Sequence, residues 1–298
     1  MSKIAILMST YNGEVFIDEQ LKSIANQETE HIITLYVRDD GSDDDTKKII
    51  DKWRNLINII YIQGENVGPA DSFWEMLKEK KILADYYAFC DQDDIWDYDK
   101  LDIAVKRLKG NVHLYASNCR IIDEFGNIIE TRRKKKTPDY HIENLFVSGI
   151  TQGCAMVFTN SLREFICSKK ITCIPMHDLI VCIYAVCYGE LFWDIEPHFS
   201  YRFHKNNVVA CSRKNKIQSK IDTIKKWIIN KNKMQFVARE LLSNNCCFNR
   251  ETNNFLQCIA TCKKSLYSKL FLLKYPQLDN CEKKALRSFK IKVLLGII

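Results

Sequence analysis

Two hydrophobic periods alternate along the first half of the chain. Residues 4–8 are a continuous apolar run of strand length, and Ile17, Leu21 and Ile24 then recur at the spacing of one helix face. Residues 32–37 read as a second strand. Ser42 and Asp45 are spaced like a capping box for a helix whose inner face is Ile49, Ile50 and Trp53. Residues 58–62 predict a third strand. Pro69 suits the first position of a helix presenting Phe73 and Leu77, and residues 86–90 predict a fourth strand before a helix marked by Leu101, Val105 and Leu108. Strands alternating with helices predict βαβ units around a largely parallel sheet.

The pattern loosens after residue 110. Residues 113–117 predict a strand, residues 121–129 a hairpin turning at Glu124-Phe125-Gly126-Asn127, and residues 153–158 and 191–195 two further strands with a helix from His177 between them. From about residue 214 only helical periodicity is found. The expected organisation is an α/β domain over residues 1–212 and a basic helical C-terminal region over 213–298.

Composition adds limits. With 46% apolar and 27% charged residues in 298, the chain has the makings of a core and is not a disordered polymer. Only 5 Pro and 10 Gly exclude collagen-like arrays, and 13 Cys without Cys-x-x-Cys spacing read as reduced thiols rather than a secreted disulfide framework. The longest apolar stretch, residues 179–189, falls well short of the roughly 20 residues a spanning helix requires and reads as a buried helix. Charge is unevenly divided: residues 213–298 carry a net +14 and residues 1–212 a net −7. Such a tail is an ordinary lysine-coated surface, an anionic-membrane contact or an oligomer contact; it lacks the aromatic interleaving of a single-strand nucleic-acid binder, and no nucleic-acid partner is expected. The expected location is cytoplasmic, peripheral on the inner face of the cell membrane.

The candidate chemistry gathers at strand ends, where open α/β sheets bind ligands. Ser9-Thr10-Tyr11-Asn12-Gly13 follows the first strand, Asp39-Asp40-Gly41-Ser42 the second, Asn66 and Gly68 the third, and Asp91-Gln92-Asp93-Asp94-Ile95-Trp96 the fourth. Three carboxylates within four residues repel one another unless a cation lies between them, and hard oxygen ligands suit Mg²⁺ or Mn²⁺. A receiver-type signalling domain also clusters Asp at strand ends, but it leaves Ser9–Gly13, His177-Asp178 and the tail unexplained.

In the order and spacing of these motifs over residues 3–205, the sequence resembles glycosyltransferase family 2. Gly153-Cys154, His177-Asp178 and Tyr201-Arg202-Phe203-His204-Lys205-Asn206-Asn207 extend the likeness toward bacterial rhamnosyltransferases of surface polysaccharide synthesis. The resemblance implies a GT-A fold, with a Rossmann-like mixed, largely parallel sheet and flanking helices. It implies an inverting, metal-dependent transferase moving rhamnose or another hexose from dTDP-rhamnose or a UDP-hexose to a glycan hydroxyl, the acceptor being lipid-linked.

The resemblance also implies roles. Thr10, Tyr11, Asn12, Asp39, Asp40, Asn66 and Gly68 would hold the donor nucleotide. Asp91 and Asp93 would ligate Mg²⁺ or Mn²⁺, with His204 completing that shell or reaching the diphosphate, or else sitting as a surface or core histidine. Asp94 would contact sugar or metal, Trp96 would floor the acceptor pocket or pack in the core, and Arg202 would pair with phosphate or with an acid. Asp178 would be the general base, with His177 positioning it or the acceptor. The rival reading is a catalytically inactive nucleotide- or membrane-binding module on the same fold. A homodimer formed through the tail stays open.

Overall fold

The computed structural model describes residues 1–149, 152–205, 225, 227–244 and 246–298, with 279 and 280 described by backbone alone. The chain divides into two compact units. One comprises Met1–Pro138, Thr151–Cys167 and Tyr188–Cys211, the other Asp139–Ile150, Ser168–Cys187 and Ser212–Ile298. The expected boundary at 212 and the motif residues Asn206 and Asn207 lie outside the described residues.

The first unit begins with the alternation its sequence predicts: β1 (Lys3–Thr10), α1 (Ile17–Ala25), β2 (Ile32–Asp39), α2 (Thr46–Lys52), β3 (Ile59–Gln63), α3 (Pro69–Lys78) and β4 (Tyr86–Asp91). The four strands are parallel in the order β3-β2-β1-β4. Residues 4–8 of β1 are buried throughout, as a parallel strand covered on both faces requires. Each fully buried Ile or Leu there contributes about 1.5–3 kcal/mol. Helix α1 turns Ile17, Leu21 and Ile24 inward, and α3, led by Pro69 after Gly68, buries Phe73 and Leu77.

The chain continues through β5 (Ile95–Trp96), α4 (Lys100–Arg107), β6 (Val112–Ile122), β7 (Ile128–Glu130), α5 (Ile142–Ser148), β8 (Met156–Thr159), α6 (Asn160–Cys167), α7 (His177–Tyr188) and β9 (Glu190–Arg202). The sheet has nine strands, ordered β3-β2-β1-β4-β8-β6-β9-β5, with β7 paired to β6. It is mixed: β8 runs antiparallel to β4 and β6, β5 antiparallel to β9, and β6 and β9 are parallel. Three details differ from the sequence expectation. Gly153–Ala155 is a short 3₁₀ turn before β8, and β9 extends from residue 190 to Arg202. Ser42 does not cap α2; its hydroxyl donates to Asp39 Oδ1 at 2.7 Å and accepts from the Asn12 N–H at 2.9 Å. A charged acceptor at a strand end outcompetes the helix terminus for that hydroxyl.

The second unit contains α5, most of α7, α8 (Lys233–Ser243), α9 (Arg250–Thr261), α10 (Leu266–Lys274), a 3₁₀ helix at Pro276–Asn280 and α11 (Lys283–Leu295). Among the described residues beyond 225, every regular element is helical. Asn249 and Ser265 cap α9 and α10, accepting from the Thr252 and Ser268 N–H groups. Helix α7 buries residues 180–185, the buried helix expected of its apolar run. No helix among the described residues is long and apolar enough to cross a membrane.

Candidate functional site

In the four parallel strands, β1 leads to β2 and β3 on one side, and the chain then crosses to β4 on the other. The crevice at the carboxyl ends of β1 and β4 is therefore a topological switch point. Register fixes what meets there: Ser9 lies opposite Asp91 and Thr10 opposite Asp39.

The loop after β1 is braced by Gln92. Its Oε1 accepts from the Thr10 hydroxyl at 2.5 Å and the Tyr11 N–H at 3.0 Å, while its Nε2 donates to the Tyr11 carbonyl at 3.1 Å. A Cβ on Gly13 would lie 2.3 Å from that Oε1, so a larger residue there would push the Gln92 side chain aside. Asn12 adopts a left-handed backbone with φ of 47°, and its Oδ1 accepts from the Asp43 N–H at 3.0 Å, tying the loops after β1 and β2 together.

Asp39 is buried and saturated. It accepts from the Ser42 N–H and hydroxyl at Oδ1, and from the Tyr61 hydroxyl at Oδ2 at 2.6 Å. Burial and that bond to Asp39 raise the Tyr61 phenol well above its ordinary value. Asp40 is buried too, with Oδ1 paired to Arg38, whose guanidinium also reaches Glu75 at 2.8 Å. Asn66 Oδ1 accepts from the Gly68 N–H at 3.2 Å, and Gly68 has φ of 81° before α3.

The acidic loop after β4 separates into distinct environments. Asp93 Oδ2 lies 2.6 Å from His204 Nε2, and Phe16 packs on the His204 ring with centroids 4.7 Å apart. Asp94 is fully buried, and its Oδ1 accepts from the Arg202 N–H at 3.3 Å. Burial first, then the charges of Asp93 and Asp91, hold the Asp94 carboxyl well above the usual carboxylate range. Oxygens of Asp91 and Asp94 and the Cys154 thiol lie within 4.8 Å of one another. Burial, followed by Asp94 and Asp91, also pushes that thiol up. The carboxylate oxygens of this loop, with one imidazole alongside, fit a hard divalent cation.

Two cations hold this loop from beneath. Arg202, fully buried at the end of β9, donates from Nε to the Asp93 carbonyl at 3.0 Å, from Nη1 to the Glu124 carbonyl at 3.2 Å and from Nη2 to Glu19 at 2.7 Å, and it lies over the Phe16 ring. Of the two readings open for Arg202, the structure gives the acid-paired one. Lys100 is equally buried, donating to the Cys154 carbonyl at 2.8 Å between the Trp96 and Phe199 rings. Burial pulls its ammonium below the ordinary range. Trp96 is thus a core tryptophan under Lys100. Sequence reasoning missed Gln92 and Lys100 as structural members of the site. The closeness of Gln92 and Lys100 to the acidic run was a signal, but the contacts that give them work come from 54 to 82 residues away.

His177 and Asp178 open α7, in the second unit. Asp178 is half-buried, with Oδ1 accepting from the Leu179 N–H at 2.7 Å at the positive end of the helix. His177 is buried and pushed down to about 3 by loss of solvent, so its ring is neutral near pH 7.

Residues 5–166 match a family model described as glycosyl transferase family 2. The chain is 30% identical over 220 residues to the dTDP-rhamnosyl transferase RfbG of Shigella flexneri, covering 69% of this chain and 74% of that protein. It is 33% identical over 116 residues, 38% of this chain and 34% of the other, to the abequosyltransferase RfbV of Salmonella typhimurium. Among solved structures it is similar to S. aureus TarS 1-349 in complex with UDP-GlcNAc, with a TM-score of 0.60, 15% identity and coverage of 99% of this chain and 84% of that one. The mannosyltransferase PcManGT from Pyrobaculum calidifontis in complex with GDP-Man and Mn²⁺ is similar with a TM-score of 0.54, 14% identity and coverage of 98% and 87%. These structural likenesses extend to the mixed, largely parallel sheet with flanking helices.

Proposed function

Because this chain belongs to glycosyl transferase family 2, we propose that it is an inverting transferase carrying a sugar from a nucleotide-diphosphate donor to a glycan hydroxyl in bacterial cell-surface polysaccharide synthesis. The observation carrying this reading is the switch-point crevice: Thr10, Asp39 and Asp91 stand side by side in register, with the Asp93–His204 pair held next to them by Arg202. The 30% identity to a protein named as a dTDP-rhamnosyl transferase favours dTDP-rhamnose as donor, with a UDP-hexose second.

The residues divide the work. Thr10, Tyr11, Asn12, Asp39, Asp40, Asn66 and Gly68 border the nucleotide, with Asp40 facing the base and Gly68 allowing close backbone approach. Asp91, Asp93, Asp94 and His204 would hold Mg²⁺ or Mn²⁺. A divalent ion bound there offsets the charge of the departing diphosphate. Asp178 accepts the proton of the acceptor hydroxyl as its oxygen bonds to the anomeric carbon; the bond from that carbon to the donor phosphate oxygen breaks, and the nucleoside diphosphate leaves. One carboxylate suffices for this displacement with inversion. His177, buried and neutral near pH 7, positions Asp178 or the acceptor. The helical C-terminal region, with its +14 charge, is the part that works at an anionic membrane surface, where a lipid-linked acceptor is presented.

Turnover of dTDP-rhamnose, UDP-hexoses and GDP-mannose, read as released nucleoside diphosphate, tests the reading. One thymidine or uridine donor should turn over, and Asp178→Asn should slow it by about 10²–10⁴-fold with donor affinity retained. An Asp178→Asn enzyme at the wild-type rate would remove the proposed base. A folded protein that turns over none of the donors would favour the inactive binding module.

A further inference from the structure

Helix α10 buries Leu272 but turns other apolar residues outward. Its sequence, Leu266-Tyr267-Ser268-Lys269-Leu270-Phe271-Leu272-Leu273-Lys274, contains one small polar residue, and that residue faces inward: Ser268 is 4% exposed, with its hydroxyl 2.9 Å from Thr261 Oγ1. Leu266 and Tyr267 are each 73% exposed and Leu270 is 50% exposed. A helix on a water-facing surface turns its polar residues outward. Tyr267, Leu270, Phe271, Lys274, Tyr275 and Pro276 line an open, apolar groove of about 280 Å³ along this side.

Charge indicates what covers the face. Residues 252–278 contain no Asp or Glu but include Lys263, Lys264, Lys269 and Lys274. Helix α11 also lacks acids within its span and carries five basic residues. Lys269 Nζ donates to the Leu294 carbonyl at 3.0 Å, which brings the end of α11, with its exposed Leu294 and Leu295, beside α10. Pairing this face with itself in a second copy would set lysines against lysines. Exposed leucines and an aromatic ring bordered by lysines match the acyl–headgroup boundary of an anionic bilayer, where apolar side chains enter the lipid and ammonium groups meet phosphate.

We infer that α10, through Leu266, Tyr267 and Leu270 with Lys269 and Lys274 at its border, is the surface that inserts into the interface of an anionic lipid bilayer. The inference rests on the membrane-peripheral reading above and names the element that performs it.

The test uses the full chain and vesicles of phosphatidylcholine with or without phosphatidylglycerol. The wild type should co-sediment with the phosphatidylglycerol vesicles, and Leu266→Ser/Leu270→Ser should lower partitioning by about tenfold or more while circular dichroism and nucleotide binding stay unchanged. Tyr267→Trp should show a blue-shifted emission on adding those vesicles. Wild-type binding that the double substitution leaves intact, with no Trp shift, overturns the assignment of α10 but leaves membrane docking by another surface standing. No vesicle binding by the wild type overturns both. A wild-type dimer that the double substitution dissociates identifies the face as a subunit contact and overturns the inference. Vesicle binding without turnover of any donor would count against the transferase reading alone.

Discussion

Arg202 shows how much of this site depends on one side chain. Its guanidinium and backbone N–H bridge the carbonyl of Asp93, the carboxylate of Asp94, the carbonyl of Glu124 and Glu19 on α1, with Phe16 covering the plane. Phe16 also packs on His204, which bonds Asp93, so Arg202 fixes both the backbone and the side-chain partner of the acidic loop. Arg202→Met should cost about 1–3 kcal/mol in denaturant unfolding, because it removes the charge-assisted bonds to the Asp93 carbonyl, the Glu124 carbonyl and Glu19. It should also raise the concentration of Mn²⁺ needed for half-maximal nucleotide binding; unchanged metal dependence would reduce Arg202 to a packing residue. In the sequence, Arg202 and His204 stand out as a motif but do not reveal their partners, which lie about 80 to 180 residues earlier. The doubled acid at Asp93 and Asp94 was equally ambiguous from spacing alone. Burial separates the two, with Asp93 beside His204 and Asp94 enclosed beneath the loop.

At the scale of elements, the first four strands and their helices were legible because each is a continuous apolar run or a clean helical stripe between turn residues. The later strands were less so. β9 carries Asp194, Glu196 and Pro197 and meets β6 through shifts in register, so its outer half shows no apolar period and is held by its neighbour. β5 is two residues long and exists only through its pairing with β9. The start of α7 was legible from the His177-Asp178 pair and the apolar run after it; the burial of His177 was not. That burial carries a pH prediction. The ring is pushed down to about 3 in the folded protein against an unfolded value near 6.5, so the unfolded chain binds the extra proton between those limits. The contribution of His177 to stability is complete above about pH 6.5 and is lost as pH falls toward 3, amounting to roughly 2 kcal/mol at pH 5. Urea unfolding at pH 7 and pH 5 should show this loss in the wild type and a flatter dependence in His177→Asn. Equal slopes would mean that His177 is hydrated in the folded state.

For the whole molecule, the order β3-β2-β1-β4 creates the crevice, and the chain's own charge divides its labour. An acidic α/β region gathers carboxylates where a diphosphate and a cation would meet, while a basic helical region supplies lysines and exposed leucines. The contrast in charge was visible in the sequence. The recruitment of Asp139–Ile150 and Ser168–Cys187 into the second unit was not, since segments that join a unit from a distance carry no compositional mark of it. The proposed transfer requires the switch-point crevice to bind a nucleoside diphosphate together with a metal ion. Calorimetry of UDP, dTDP, GDP and ADP, with and without Mn²⁺ or Mg²⁺, on the wild type and Asp93→Ala tests this directly. Binding of dTDP or UDP should require the metal and disappear in Asp93→Ala. Binding that is indifferent to metal and to Asp93, or no binding of any nucleotide by the folded protein, would contradict it.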